Sequence, residues 1–579
     1  MPADIMLRVR LTAREASPPY NAPALEILML KTSHVAFALL ATIPAAHAQQ
    51  APNAGTQLQQ LPQPPAPVKT VPDLVIDAPR PAPASDSDTA VPVQTLQITG
   101  QTLFSEQELR TAAGFVPGAL TFTQVRALAA RIADFYHARG YILAQAYLPE
   151  QDVQDGAITI AVVEGRYGKI DVRNAARLSD GVPRRILRGL APGDVVTNAP
   201  LERRLLLLSD IPGVRTKATL APGTAVGTSD LIVDVAPGPW ISGNLEADNA
   251  GNRYTGAYRF GGTVNLNNPA GIGDQLSLRL LASDSGLGYG RIAYQAPIGN
   301  ATLGVAYAHL RYDLGREFEA LDASGTADIF SVYGSYPLIR SRRANLYALA
   351  SFDYKMLNDE IGLVSSDSKR HIKAGTLGFV GDVRDDFAGG GSTVFSGSWT
   401  SGDLDIRSRP ERIADAASAR SNGGYNKVQG SVARLQSIAG PLSLYGAVRG
   451  QRAFNNLDSS EKIQLGGAYG VRAYPEGEAF GDSGYIATAE ARVRLNEPGL
   501  LGQFELIGFI ETGEVRFAQD PWFTGSNHAV RSGYGAGLNW YGPYGLIVRG
   551  SYARKLGTGP ATSAPDRDGR FWVQIVKLF

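Results

Sequence analysis

The sequence predicts a β-barrel membrane protein of sixteen antiparallel strands preceded by two small α+β domains. Three observations carry this. From Pro237 onward helical periodicity stops, and short stretches alternate apolar with polar residues. Near residue 48 a basic start, a short apolar core and a small-residue cleavage site mark export. The 579 residues contain no cysteine, so an exported chain must find stability without disulfides, and a large closed barrel supplies it.

The export signal comes first in the chain. Met29-Leu30-Lys31 precedes the apolar run Val35 to Ile43, and Ala46-His47-Ala48 precedes Gln49. That run is too short to span a bilayer and has the proportions of a signal peptide. Residues 1–28 fit no targeting pattern, so Met29 is the expected start and 1–48 an upstream segment plus signal. Residues 49–92 are rich in Gln, Pro and Ala, including Leu61-Pro62-Gln63-Pro64-Pro65-Ala66-Pro67. Such a composition cannot bury a core and reads as an extended periplasmic linker, with only a weak helical signal at Gln57–Leu61.

Composition changes at Val93. Val93 to Ile98 alternates like a strand, and Ser105 stands three residues before Glu108, the spacing of a capping box that opens a helix. Thr121 to Arg139 forms a second helix, with Val125, Leu128, Ile132 and Phe135 at helical spacing. Strands at Ile142–Leu148 and Ala157–Val163 complete β-α-α-β-β over 93–165. The order repeats over 166–237, with a strand at Ile170–Val172, helices at Pro183–Leu190 and Pro200–Ser209, and strands at Val214–Leu220 and Leu231–Val235. A small sheet leaves edges that can pair with an extended chain. The edge candidates are Ile142, Ala144, Val214 and Thr216. An edge used only to pack one module on the other is the plainer alternative.

The barrel occupies 238–579. Leu276, Leu278 and Leu280 alternate with Gln275, Ser277 and Arg279; Leu442, Leu444 and Val448 share a face opposite Ser443, Tyr445 and Arg449. Ala487, Ala489 and Ala491 alternate with Thr488, Glu490 and Arg492. An apolar face toward lipid and a charged face toward a wet lumen is the barrel pattern. Strands are expected to start near 241, 257, 274, 288, 301, 327, 344, 370, 392, 425, 441, 484, 504, 531, 545 and 570, with the last ending on Phe579. The longest Gly-rich interruption, Gly466 to Tyr485, holds Val471-Arg472-Ala473-Tyr474 with a single arginine at its centre. It reads as a loop folded back into the barrel.

Several chemistries find no support. Net charge is +1, which gives no electrostatic reason to bind nucleic acid. The six histidines are scattered without zinc spacing. No Gly-Lys-Ser/Thr phosphate loop occurs, and Gly389-Gly390-Gly391 reads as a hairpin turn. No enzyme, metal or cofactor is expected.

Two tandem β-α-α-β-β modules after a periplasmic linker resemble POTRA domains. Asp248-Asn249-Ala250-Gly251, Thr255-Gly256, Arg259 and Asn268-Pro269-Ala270-Gly271-Ile272-Gly273-Asp274 resemble the first barrel hairpin of two-partner-secretion transporters. Tyr294-Gln295-Ala296-Pro297-Ile298-Gly299 matches a strand end of that family, and Val471-Arg472-Ala473-Tyr474 its Val-Arg-Gly-Tyr loop. The resemblance covers about 93–579. It implies a sixteen-stranded outer-membrane barrel, inserted by the barrel assembly machinery among outer-membrane lipids, with POTRA domains in the periplasm. It further implies an exporter of one large exoprotein of adhesin or cytolysin type, bound by the POTRA domains and moved without ATP. In the family the loop arginine meets an acidic residue in a Phe-x-Asp-x-Gly strand motif. The matching residues are Phe509, Glu511 and Gly513, so the resemblance pairs Arg472 with Glu511. Ala473 and Glu511 depart from the family's Gly and Asp. An N-terminal helix can plug the pore in the family; the short, poorly patterned stretch 49–61 argues against one here. The alternatives are a general outer-membrane assembly factor and, further off, a passive porin.

Overall fold

The computed structural model describes residues 7–10, 52–62, 73–78, 90–153, 155–495 and 501–579. The export signal and most of the 49–92 linker lie outside these residues. The chain divides into two compact units, one holding 73–78 and 90–239 with the strand at 7–10, the other 52–62 and 240–579.

In the first unit the module 90–165 builds a three-stranded sheet in the order Thr95–Thr99, Ala157–Val163, Gln145–Tyr147, with the first pair parallel. Ile158, Ile160 and Val162 alternate inward from the central strand. Helices Glu106–Ala113 and Phe122–His137 cover that face with Leu109, Leu128 and Ile132. Both helices open on a full capping box, Ser105 with Glu108 and Thr121 with Gln124, so their starts are written in the local sequence. Module 166–237 repeats the plan: Arg166–Asn174 pairs in parallel with Thr228–Pro237, which pairs antiparallel with Val214–Pro222.

The two proposed edges differ from the expectation in part. The expected strand from Ile142 contracts to Gln145–Tyr147. Ile142 and Leu143 instead pack on the core of the second module, and Ala144 is buried in that of the first. Those side chains join modules, while Gln145–Tyr147 remains the outer strand of its three-stranded sheet. Val214 and Thr216 are likewise buried. From Lys217 to Leu220 the edge is already taken by Asp73–Ile76, in parallel register, which pairs in turn with Leu7–Arg10. Leu74 and Ile76 pack on the module core, so part of the stretch read as linker folds as a strand.

The second unit is a closed barrel of 16 antiparallel strands, from Ile241–Asp248 to Gly569–Leu578. Each strand begins within four residues of its expected position. Inward and outward faces separate as the alternation requires. Leu278, Leu280, Leu444 and Val448 are exposed outward, while Arg279, Ser443, Glu490 and Arg492 are buried inward. Among the described residues no helix is long and apolar enough to cross a membrane; the crossing is made by strands.

Candidate functional site

The lumen is filled by two pieces of the chain that do not belong to the wall. The first is the loop between Leu442–Ala453 and Ser483–Leu495. Within it Ile463–Gln464 pairs with Phe480–Gly481, making a narrow hairpin that carries residues 465–479 inward. Leu465, Val471, Ala473 and Tyr474 are buried against the inward residues Ile486, Ile507 and Phe509.

Arg472 sits at the tip. Its Nε donates to Glu511 Oε1 at 2.7 Å, and its backbone N–H to Glu511 Oε2 at 2.8 Å. Its Nη2 donates to Glu490 Oε1 at 2.6 Å. Glu490 also accepts from Arg492 at 2.6 Å. Two guanidinium groups and two carboxylates thus form a neutral cluster, and charge-assisted bonds of this kind are short and directional. The Arg472 guanidinium lies 3.5 Å above the Phe509 ring. Phe509 faces the lumen to floor the arginine, which explains an aromatic residue on the same strand face as Glu511. The loop carbonyl of Arg472 accepts from the Trp572 indole at 2.7 Å, tying the tip to the strand that closes the barrel.

Glycines give the loop its space. At Gly513 a Cβ would lie 2.6 Å from Leu465, and at Gly533 2.5 Å from the Ala473 methyl. Ala473 is absent from the residues with positive φ, so the family's glycine is not needed there for backbone angle. Tyr474 donates to the Gly559 carbonyl at 3.0 Å, and Glu478 pairs with Arg531 at 2.7 Å.

The second piece corrects the expectation of an unplugged lumen. Ala54–Gln59 is a helix, capped by a box between Asn53 and Thr56, and it lies among inward wall residues. The Ala54 N–H donates to Asp359 Oδ1 at 2.8 Å, and Thr255 to Gln57 Oε1 at 2.8 Å. Arg259 donates to the Gln60 carbonyl at 2.6 Å, and Arg279 to that of Pro62 at 2.7 Å. The two arginines are themselves paired, with Asp248 at 2.8 Å and Glu246 at 2.5 Å. The sequence hides this helix because a lumen is polar. Its polar side chains meet Asp, Arg and Thr, while only Ala54 and Leu58 give it apolar contacts, too few in six residues for a period to show.

Sequence reasoning also missed Glu490 and Trp572 as partners of Arg472. The first was accessible through register: Glu490 pairs opposite Phe509, one step from Glu511. Nothing local marks Trp572. In the first hairpin, Asp248 and Arg259 form a buried ion pair. At the opposite end Tyr294 donates to Asp274 at 2.8 Å, and Gly273 N–H to the Asn268 side chain at 2.7 Å. Among the described residues no cluster of His, Asp and Glu is placed to hold a metal.

Comparison with known proteins agrees with this architecture. Residues 91–165 match the POTRA domain of ShlB type. The Heme/hemopexin transporter protein HuxB of Haemophilus influenzae (strain 86-028NP) is 27% identical over 499 residues, 84% of this chain and 86% of that protein. The Outer membrane transporter CdiB of Dickeya dadantii is 22% identical over 491 residues, 82% of this chain and 83% of that one. Among solved structures, CdiB from Escherichia coli superposes with a TM-score of 0.66 at 18% identity, covering 87% of this chain and 93% of that chain. BamA from Haemophilus ducreyi shares the fold more distantly, with a TM-score of 0.51 at 15% identity over 84% of this chain and 100% of that chain. Residues 227–540, more than half of the sequence, match the family described as haemolysin secretion/activation protein ShlB/FhaC/HecB, and the chain belongs to it as a two-partner-secretion transporter of the outer membrane.

Proposed function

We propose that this transporter recognises one large exoprotein of adhesin or cytolysin type, arriving unfolded in the periplasm, and passes it through its own barrel without ATP. Initial capture falls to the POTRA domains, and insertion into outer-membrane lipid to the barrel assembly machinery. One observation carries the reading. The lumen holds a helix and a loop that are not part of the wall ladder, each held by a small apolar contact set together with ion pairs and hydrogen bonds, and the polar bonds are ones that water or a passing polypeptide can replace. With no nucleotide at this membrane, folding of the client outside is the available drive.

Arg472 acts as a latch in this scheme, with Glu511 and Glu490 as its seats. Co-expression with a large, signal-bearing β-repeat protein encoded beside it should release that protein to the medium. Arg472→Ala should leave an inserted, heat-modifiable barrel with reduced release. Wild-type release by that variant removes the latch role. Loss of other outer-membrane proteins on deletion, with no exoprotein released, would favour a general assembly factor.

A further inference from the structure

The loop helix Arg409–Ala416, at the end of the barrel opposite chain entry, has one buried side chain, and it is a charged one. Glu411 is 7% exposed, whereas Ile413 on the same helix is 62% exposed. The helix is therefore not seated by an apolar core. Its start is tied down through Ser408, which accepts from the Lys369 N–H at 3.0 Å and donates to the Asp367 carbonyl at 3.0 Å. Its body is held by Glu411, which accepts from Ser368 at 2.5 Å and lies 3.4 Å from Arg370 Nη1.

Arg370 is fully buried, and its other terminal nitrogen donates to Asp359. Asp359 is the residue that accepts the Ala54 N–H at the start of the lumenal helix, and it also accepts from Tyr312 at 2.6 Å. One buried guanidinium is thus shared between the carboxylate that seats the lumenal helix and the carboxylate that seats the outer loop helix. We infer that Asp359, Arg370 and Glu411 form a relay that couples docking of the loop helix to docking of the lumenal helix. The relay rests on the reading that the 54–59 helix closes the pore.

The physics follows from burial. A buried ion that loses its partner pays its full desolvation penalty. If the loop helix lifts, Arg370 loses one carboxylate, keeps Asp359 and the neighbouring Asp458, and gains by moving toward water. Asp359 then loses the cation that orients it toward Ala54. Coupling of this kind is reciprocal, so withdrawal of the lumenal helix loosens the loop helix equally. These residues act by positioning the helix, since none of them touches a client in this state.

Planar-bilayer conductance of the purified full chain tests the relay, with heat-modifiable migration on gels as the folding control. Deletion of 52–62 sets the fully open reference. Glu411→Gln should raise the open fraction by roughly tenfold over wild type, the ratio that corresponds to about 1.4 kcal/mol. Asp359→Asn should do the same or more. The double variant should open no further than Asp359→Asn alone, because both act on one path. Glu411→Asp should restore closure, and Ser368→Ala, which removes only the hydroxyl that aims Glu411, should open part-way. Wild-type conductance in both Glu411→Gln and Ser368→Ala, or strictly additive effects in the double variant, overturns the relay. If Glu411→Gln does not insert, Ser368→Ala decides alone. If the deletion itself does not change conductance, the pore-closing reading fails instead.

Discussion

Arg472 makes three hydrogen bonds to two carboxylates that are 3% and 6% exposed. Replacing it with alanine removes the guanidinium from Glu511, leaving that carboxylate only the backbone N–H of residue 472, and leaves Glu490 with Arg492. Removing one partner of a buried pair costs about 3–5 kcal/mol. That cost falls on the loop tip, since the wall ladder is untouched, so the barrel inserts and export drops. Arg472→Lys should recover only part of the release, because a point charge cannot span both carboxylates as a planar fork does. Gly533 offers a sharper test. A methyl there would sit 2.5 Å from that of Ala473, and overpacking of this kind costs about 1–3 kcal/mol. Gly533→Ala should reduce export, and Ala473→Gly in the same chain should restore most of it; a double variant no better than the single one refutes the contact. In the first POTRA domain Glu164 is buried, which pushes its carboxyl up, but bonds from the Thr102 hydroxyl and N–H, the Leu103 N–H and the Tyr136 hydroxyl outweigh this and hold it below the usual range. A carboxyl depressed on folding stabilises fully above its unfolded value and loses that contribution as pH falls through the folded one. The urea midpoint of this domain, read by amide exchange at Thr102 and Leu103, should fall between neutral pH and pH about 3. In Glu164→Gln it should be lower at neutral pH and flatter with pH.

At the scale of elements, the helices of the first module were legible because capping chemistry is local: Ser105 and Glu108 meet across a single turn whatever lies elsewhere. Strand Asp73–Ala78 was not. Its sequence, Asp-Leu-Val-Ile-Asp-Ala, has an apolar run of only Leu74 to Ile76, too short to stand out from a proline-rich surround, and its partner Val214–Pro222 lies far along the chain. Leu74 and Ile76 hold it by packing on the module core. Replacing both with Asp should free the strand and speed exchange of the Lys217–Leu220 amides roughly tenfold or more, since burying an aliphatic side chain contributes about 1.5–3 kcal/mol. Unchanged exchange would mean that the edge is protected by something else. The short helix Ala54–Gln59 failed to register for a similar reason. Its six residues are too few to show a period, and its apolar contacts through Ala54 and Leu58 are set among polar neighbours.

For the whole molecule, a sixteen-stranded cylinder is too wide for its own wall side chains to fill, so what occupies the lumen decides what passes. Removing residues 52–62 should leave an inserted barrel with higher conductance; unchanged conductance would show that the inward loop alone closes the lumen. The division between what was legible and what was not follows the range of the forces. Alternation along each strand is set by lipid on one side and water on the other, so strand number, strand starts and the two-module plan were readable residue by residue. The resemblance in Val471–Tyr474 and Phe509–Gly513 supplied Arg472 and Glu511 as a pair. Only the tertiary structure decided that Glu490 and Trp572 also hold Arg472, that Asp73–Ile76 closes the second module's edge, and that a polar helix lies inside the barrel. Each of those depends on groups, polar ones above all, brought together from distant parts of the chain. A hydrogen bond leaves no period in a sequence, whereas a hydrophobic face does.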